Sequence, residues 1–398
     1  MRLRARWAPA ALLLVIPLTG STPATADTGP TAVPVRQSDR AVVGQYIVTL
    51  APGLAPDAME EEFGVRPLFT YRSILNGFAA ALSPAQLSTV RAIPGVESVE
   101  ENGEVTTGTS GPPSAGAPSV ISRAVPGSWG QDRIDQRGLP LDRAYSPAGT
   151  GKGVTAYIVD TGIDAGHSEF GGRVTFGYDA VGDGRQGQDC SGHGTHVAGT
   201  VGGTTVGVAG SASLTTVRVL DCQGRGTWAG ILAGLDWVAR NAQQPAVVNA
   251  SLGGPSSAAV DEAVGALWDR GILPVVAAGN DNEDACDVSP AGADRVVTVA
   301  ASDASDRQTD FSNWGECVEL HAPGAAIVSA RPGGGHQPLD GTSMAAPHVA
   351  GVAVLHMEKS PDASPREIAD RLGDEATAGA LSGLSPGSPD RLLYTAGL

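Results

Sequence analysis

VTAYIVDTGI, residues 154–163, is the stretch that decides the fold of this chain. Its first six residues form an uninterrupted, largely apolar run, which predicts a strand buried on both faces. Asp160 follows that strand directly, and Gly162 then permits a tight turn. Similar strands alternate with helical stretches from Trp129 to Leu398, so we predict an α/β domain with a central, mostly parallel sheet. Active sites in such sheets lie at the carboxyl ends of strands, where Asp160 lies.

The alternation extends through the C-terminal two thirds of the chain. A helix from Thr227 to Asn241 is indicated by apolar residues at helical spacing. We expect strands at 154–159, 214–220, 247–251, 272–277 and 296–300, and helices at 193–201, 227–241, 258–270, 343–357 and 364–372.

A smaller unit precedes this domain. Strands are predicted at 45–50, 78–82 and 96–99, and Ser83 followed by Pro84 is a helix start signal. Residues 41–105 are therefore expected to form a small α+β domain. The following run TTGTSGPPSAGAP (106–118) has no large apolar residue, which predicts a linker and a natural site for proteolytic cutting.

The N-terminus has the features of a secretory signal peptide. Arginines precede an apolar run from Ala8 to about Leu18, and Ala24-Thr25-Ala26 supplies small residues for cleavage. A membrane anchor is the alternative, but the run is short for a bilayer span. We expect a signal peptide at 1–26, a flexible leader at 27–40, and a secreted, extracellular product.

Charge and cysteine content fit an extracellular protein. The formal charge of −16 over 398 residues disfavours nucleic acid and anionic membranes as partners. Pairing Cys190 with Cys222, and Cys286 with Cys317, closes two loops of about thirty residues, each expected to add about 3–4 kcal/mol of stability. Free buried thiols, or a reactive Cys190 three residues before His193, are the alternatives.

Three segments place a reactive side chain at a strand end or a helix start. Asp160 is either a turn residue or a functional carboxylate. His193 lies between two glycines, and together with His196 it could instead bind a metal. Ser343 begins a predicted helix after a glycine, where a plain helix cap is the alternative. Together the three supply a nucleophile, a base and an orienting acid, in the order Asp, His, Ser that subtilisin uses.

The strings that carry these residues resemble the signatures of the subtilisin-like serine proteases: YIVDTGI (157–163), GHGTHVAGT (192–200) and GTSMAAPHVAG (341–351). Further strings are similar to the proteinase K and aqualysin branch: WGQDRIDQRGLPL (129–141), VRVLDCQGRGTWAG (217–230) and SPDRLLYT (388–395). The resemblance implies a three-layer subtilisin-like fold over 124–398. It also implies that 41–105 is a ferredoxin-like propeptide, which assists folding and inhibits the enzyme, joined by a linker at 106–123 that contains the maturation site.

The resemblance further implies roles for individual residues. Asn280 would complete an oxyanion hole with the backbone N–H of Ser343. Substrate would bind along two segments and a pocket, formed by Gly224, Arg225, Gly226, Ser251, Leu252, Gly253, Ala277, Ala278 and Gly279. Small apolar walls favour large hydrophobic or aromatic side chains. Arg225 replaces a small or neutral residue; it either favours acidic substrate side chains or is simply solvated.

Calcium is the one metal that the resemblance implies, and only in a structural role. Asp132, Asp135 and Gln136 match a calcium-binding segment, with a solvated acidic face as the alternative. Glu319 occupies a second family site where a shorter carboxylate is usual, which puts that site in doubt. No cofactor is expected for catalysis.

The sequence thus predicts a secreted, monomeric serine endopeptidase with broad, hydrophobic or aromatic preference. Its expected partners are protein substrates and its own propeptide, which it would remove autocatalytically. A catalytically silent binding module and a serine esterase are the competing hypotheses.

Overall fold

The computed structural model describes residues 32–107 and 128–398. The predicted signal peptide, residues 27–31 of the leader and most of the linker therefore lie outside the described residues. No helix within the described ranges is long and apolar enough to cross a bilayer.

The N-terminal unit, residues 32–107, has a ferredoxin-like arrangement. A short strand is followed along the chain by strand, helix, strand, strand, helix and strand. The sheet order is β1-β5-β2-β4-β3, in which β2 pairs antiparallel with β4 and β5, and β3 pairs antiparallel with β4. Ser83 caps α2 with a reciprocal capping box, as its sequence predicted. The elements are β1 (Val35–Arg36), β2 (Ala41–Leu50), α1 (Ala58–Phe63), β3 (Pro67–Tyr71), β4 (Gly77–Ala81), α2 (Pro84–Arg91) and β5 (Val96–Thr106).

The C-terminal unit, residues 128–398, contains the three residues predicted as a triad and is called the catalytic unit for that reason. Within the described ranges, its sheet has the order β18-β19-β15-β14-β12-β10-β6-β8-β7. All pairs in this sheet are parallel except β18 with β19. Its strands and those beside it are β6 (Thr155–Asp160), β7 (Val174–Asp179), β8 (Ser213–Arg218), β9 (Arg225–Thr227), β10 (Ala246–Ala250), β11 (Gly254–Pro255), β12 (Ile272–Ala277), β13 (Val288–Ser289), β14 (Val297–Ser302), β15 (Leu320–Pro323), β16 (Ile327–Ala330), β17 (His336–Leu339), β18 (Thr377–Ala378) and β19 (Arg391–Leu392).

Helices cover both faces of this sheet and make the fold three-layered. Alternate residues of β6 enter opposite cores: Ala156 and Ile158 join the cluster formed with α4 and α7, whereas Tyr157 and Val159 join the cluster formed with α5 and α6. This explains why the central strand is apolar at consecutive positions. The helices are α3 (Trp129–Ile134), α4 (His193–Gly202), α5 (Trp228–Asn241), α6 (Ala258–Asp269), α7 (Thr342–Lys359) and α8 (Pro365–Glu375).

Strand β5 is much longer than its sequence predicted. The expected strand ended at Val99, but β5 continues to Thr106. Its last residues, Glu104 to Thr106, pair antiparallel with β9 of the catalytic unit. The extension depends on a partner far away in the sequence, so local patterning does not reveal it.

Candidate active site

Asp160 and His193 form a buried hydrogen-bonded pair. Asp160 ends β6 and is fully buried, and His193 is the first residue of α4. The His193 Nδ1 atom lies 2.7 Å from Asp160 Oδ1 and 2.9 Å from Oδ2. Asp160 Oδ1 also accepts a hydrogen bond of 2.7 Å from the backbone N–H of Thr161. The carboxylate thus fixes the orientation of the imidazole ring, with Nε2 directed away from it.

Two glycines allow this close approach. A Cβ atom on Gly194 would lie 2.2 Å from the carbonyl oxygen of Gly162 and 3.1 Å from Asp160 Oδ1, so only glycine lets α4 pack against the end of β6. Gly162 itself has φ +108°, which side chains rarely tolerate. The glycines around the Asp and His motifs are therefore steric requirements of the pair.

His196, one turn along α4, has a packing role. It is fully buried, and its Nε2 lies 2.8 Å from the backbone carbonyl of Ile327. Burial lowers its pKa to about 3. A neutral histidine held by a backbone carbonyl supports the packing interpretation over a metal site formed with His193.

Ser343 is the second residue of α7, and a proline in that helix determines how it is held. Pro347 has no N–H, so it cannot satisfy the carbonyl of Ser343 four residues earlier. The Ser251 hydroxyl donates to that carbonyl instead, at 2.9 Å. Ser251 in turn accepts a hydrogen bond of 2.9 Å from Asn249 Nδ2. The end of β10 thus fixes the start of α7, a link that the position of Pro347 could have signalled.

The tail of the N-terminal unit lies on Ser343. The Ser343 hydroxyl donates to the carbonyl of Thr107 at 3.1 Å and also lies 3.2 Å from the carbonyl of Ser251. His193 Nε2 is buried and has no hydrogen-bond partner among the described residues. The Ser343 hydroxyl therefore contacts a peptide carbonyl of the tail, whereas His193 Nε2 makes no hydrogen bond to the serine.

Asn280 follows β12, the neighbour of β10 in the sheet. Its side-chain oxygen accepts hydrogen bonds from the backbone N–H of Thr342 at 2.8 Å and from the Thr342 hydroxyl at 3.1 Å. Asn280 also lines the cavity that contains Ser343. Its amide is thus fixed beside the first turn of α7, where backbone N–H groups favour negative charge.

The tail is bound as the middle strand of a three-stranded arrangement. On one side, the N–H of Thr107 donates to the carbonyl of Gly224 at 3.0 Å, continuing the pairing with β9. On the other side, Thr106 bridges to Gly253. Beside it lies a cavity of about 430 Å³. Its walls include most of the residues predicted for the substrate pocket: Leu252, Gly253, Ala277, Ala278 and Gly279.

Two side chains of β5 cap helices of the catalytic unit. Glu100, which is buried, accepts hydrogen bonds from the Ser257 hydroxyl at 2.9 Å and the Ala259 N–H at 3.2 Å, at the start of α6. Asn102 accepts one from the Ala229 N–H at 2.9 Å, at the start of α5. Helix N-termini attract acceptors in this way. Neither residue was predicted from the sequence.

In a third contact, the catalytic unit supplies the acceptor and the N-terminal unit supplies the donors. Asp236 on α5 accepts hydrogen bonds from three successive backbone N–H groups of the N-terminal unit, at residues 72–74, with distances of 2.9, 2.7 and 3.4 Å. The Tyr71 hydroxyl donates to the carbonyl of Ala229 at 2.9 Å. The N-terminal unit is thus held by its tail and by a second site along α5.

Both cysteine pairings are present: Cys190 with Cys222 and Cys286 with Cys317, with sequence separations of 32 and 31 residues. The first pair joins the loop before His193 to the turn before β9. It therefore connects the histidine segment with the strand that binds the tail. A reactive Cys190 is excluded in this state because its sulfur is bonded.

The residues predicted to bind calcium lie at the end of α3 and just after it: Asp132 is within the helix, Asp135 is its C-cap and Gln136 follows. Asp132 Oδ1 is buried without a hydrogen-bond partner, and its other oxygen accepts a bond of 2.9 Å from the Arg143 N–H. Burial raises the pKa of Asp132 and of Asp135, and Asp142 raises both further. The two carboxylates fit a hard cation. The Gln136 amide bonds within the loop, its oxygen accepting from the Asp142 N–H at 3.1 Å.

Glu319 lies beside the large sheet, immediately before β15. Burial raises the pKa of its carboxyl, and Arg391 opposes this.

Comparisons with known proteins identify the families of the two units. Residues 151–390 match the subtilase family, and residues 45–108 match the peptidase inhibitor I9 family. The extracellular serine proteinase of Thermus sp. (strain Rt41A) is 42% identical over 410 residues, covering 96% of this chain and 97% of the relative. Alkaline serine exoprotease A of Vibrio alginolyticus is 41% identical over 384 residues, covering 93% and 70%.

A solved structure gives the same result for the fold. The crystal structure of a cold adapted subtilisin-like serine proteinase superposes with a TM-score of 0.66 at 49% identity, covering 67% of this chain and 97% of that one. The match spans the larger part of the chain, and the I9 match covers the unit whose tail lies on Ser343. The chain therefore belongs to the subtilase family of serine proteases and carries an N-terminal I9 inhibitor domain as its propeptide.

Proposed function

We propose that Asp160, His193 and Ser343 are a catalytic triad that hydrolyses peptide bonds through an acyl-enzyme. The hydrogen-bonded Asp160–His193 pair, with Ser343 donating to a peptide carbonyl, is the observation that carries the proposal. The Ser343 oxygen attacks the substrate carbonyl carbon while His193 Nε2 takes the serine proton. His193 then protonates the leaving amine, and water hydrolyses the acyl-enzyme by the reverse sequence of transfers.

The oxyanion of the tetrahedral intermediate would be held by two donors. These are the side-chain amide of Asn280 and the backbone N–H of Ser343. Thr342 fixes the oxygen of the Asn280 amide, which orients the nitrogen of the same group. Preorganised donors of this kind act where charge develops in the transition state.

Substrate would bind in the place of the tail. Extended pairing with β9 and with residues 251–253 uses backbone groups, so it demands little of the substrate sequence. Small and apolar residues, Leu252, Ala277 and Ala278, form one part of the wall of the cavity of about 430 Å³, and this part supports a preference for large hydrophobic or aromatic side chains.

Activation would be autocatalytic. The Ser343 hydroxyl is 3.1 Å from the Thr107 carbonyl, and one residue spans at most about 3.5 Å. The Thr107 carbonyl is therefore the peptide group of the tail that the nucleophile contacts. We place the first cut no more than one residue beyond Thr107, at the start of the proposed linker (106–123).

To test the proposal, the full precursor is expressed as the wild type and as the Ser343→Ala variant. The wild type is expected to yield a fragment whose N-terminus, read by intact mass, lies within one residue of that position, and to cleave an aromatic chromogenic peptide. Ser343→Ala should do neither, while Ser364→Ala, at the N-cap of α8 outside the cleft, should do both. A serine esterase would cleave ester but not peptide, and a silent module would cleave neither; either result rejects the proposal.

Other features of the precursor belong to the same proposal. We assign 1–26 as a signal peptide, 27–40 as a leader, 41–105 as the inhibitory propeptide and 124–398 as the peptidase domain of a secreted monomer. Asp132, Asp135 and Gln136 would hold a structural calcium ion, supported by the unpartnered Asp132 oxygen. Calcium should raise the melting temperature of the wild type but not of Asp132→Asn; equal melting shifts would reject the site.

A further inference from the structure

Arg225 shares a face with two outward side chains of the tail. In an antiparallel ladder, paired residues point to the same side, and the diagonal neighbours lie within reach of long side chains. Arg225 is paired with Thr106, and Glu104 is two residues from Thr106 along β5. Val105, which lies between them, is fully buried on the opposite face.

The Arg225 side chain is largely exposed on this face. Its exposed fraction is 66%, and its ion pair with Asp221 Oδ2 is long, at 3.4 Å. The other Asp221 oxygen is occupied by the backbone N–H groups of Gln223 and Arg225. Arg225 therefore has donors available for a second carboxylate above the tail strand.

We propose that Arg225 is a specificity-determining residue that selects an acidic side chain at the substrate position occupied here by Thr106. This inference rests on the proposed function, because substrate must take the register of the tail. The selected ligand is a carboxylate on an extended peptide, and a lysine at that position is disfavoured by like charge. For an exposed ion pair the preference should be about two- to fivefold.

The test uses internally quenched peptides copied from residues 102–111. Val105 is kept so that the register is maintained, Glu104→Gln removes the diagonal charge, and position 106 carries Glu, Gln or Lys. The wild type should show a kcat/KM about two- to fivefold higher for Glu than for Gln, and lower again for Lys. Mass spectrometry confirms that all three peptides are cut at the same bond.

Matched variants separate charge from shape. Arg225→Ser should make the Glu and Gln peptides equal, and Arg225→Lys should retain the preference. Asp221→Asn, which keeps an oxygen for the backbone N–H groups, should increase it. The preference should fall at about 1 M salt, where the screening length is about 3 Å.

Two failures are distinguishable. An enzyme that cuts none of the peptides contradicts the proposed function itself. An enzyme that cuts all of them with equal kcat/KM, or whose preference survives in Arg225→Ser, is a protease with no charge selection at Arg225, and this inference is then wrong.

Discussion

Asp261 on α6 should make the affinity of the catalytic unit for the propeptide depend on pH. Its carboxylate lines a cavity of about 280 Å³ between the two units, together with Arg36, Glu100 and Glu101 of the propeptide. Burial, with smaller contributions from Glu100 and Asp294, raises the pKa of Asp261 to about 6, although a hydrogen bond with Ser289 acts to lower it. Glu100 cannot move away, because it caps α6.

The direction and magnitude of this pH dependence follow from the number of protons bound in the free and bound states. Removing the propeptide takes Glu100 away and opens α6 to water, which returns the pKa of Asp261 toward its ordinary value of 3.8. The bound state then holds more protons than the free state, so binding is tighter in acid and weakens as pH rises through about 6. Between pH 5 and pH 8, the full shift weakens binding up to about tenfold.

The assay follows labelling of Ser343 by a fluorophosphonate, which requires the tail to leave. Wild type and Asp261→Asn are compared across pH 5–8, and their ratio cancels any shared effect of His193. We expect that ratio to rise up to about tenfold, with Asp310→Asn, an exposed carboxylate outside the interface, behaving as wild type. A ratio that is flat or falls with pH would refute the reasoning.

Three further predictions concern the catalytic unit. Replacing Cys190 and Cys222 by serine should cost about 3–4 kcal/mol of unfolding free energy, because a 32-residue loop is released; an unchanged urea midpoint would contradict this. Asn280→Ala should lower kcat about 10²–10³-fold with little change in KM, a magnitude taken from subtilisin, a relative; a loss below tenfold would argue against the oxyanion role. Burial lowers the pKa of His196 to about 3 and of His348 to about 4, so the contribution of each to the unfolding free energy is complete above pH 6.5 and falls by about 1.4 kcal/mol per pH unit below it. The inactivated enzyme should therefore unfold at a lower urea concentration at pH 5 than at pH 7, and pH-independent midpoints would be inconsistent with this.

Much of the fold could be predicted from the sequence because its signals are local. Strand β12 begins and ends at the residues expected for it, and the Ser83 cap fixed the start of α2. The position of Asp160 followed from an apolar strand ending before a glycine turn. Such features depend on neighbours in the chain, so one sequence contains them.

The contacts between the two units could not be predicted in this way. The pairing of Thr106 with Arg225 and the capping of α6 by Glu100 join residues more than a hundred positions apart. Glu100 and Asn102 look like ordinary surface residues of a strand until their helix partners are known. The calcium residues and the substrate roles came from resemblance alone and remain predictions.

Strand β5 belongs to two structures at once. Its first half completes the core of the propeptide, where Val99 packs with Val48 and Phe78, and its last residues occupy the cleft. Pulling the tail out and melting the small sheet are therefore mechanically linked events. Under the proposed activation, the lifetime of the latent enzyme would then be set by the unfolding rate of the inhibitor domain, which contains none of the proposed triad residues. Core substitutions at Val48 or Phe78 would therefore change the time at which proteolysis begins without changing the rate of the mature enzyme.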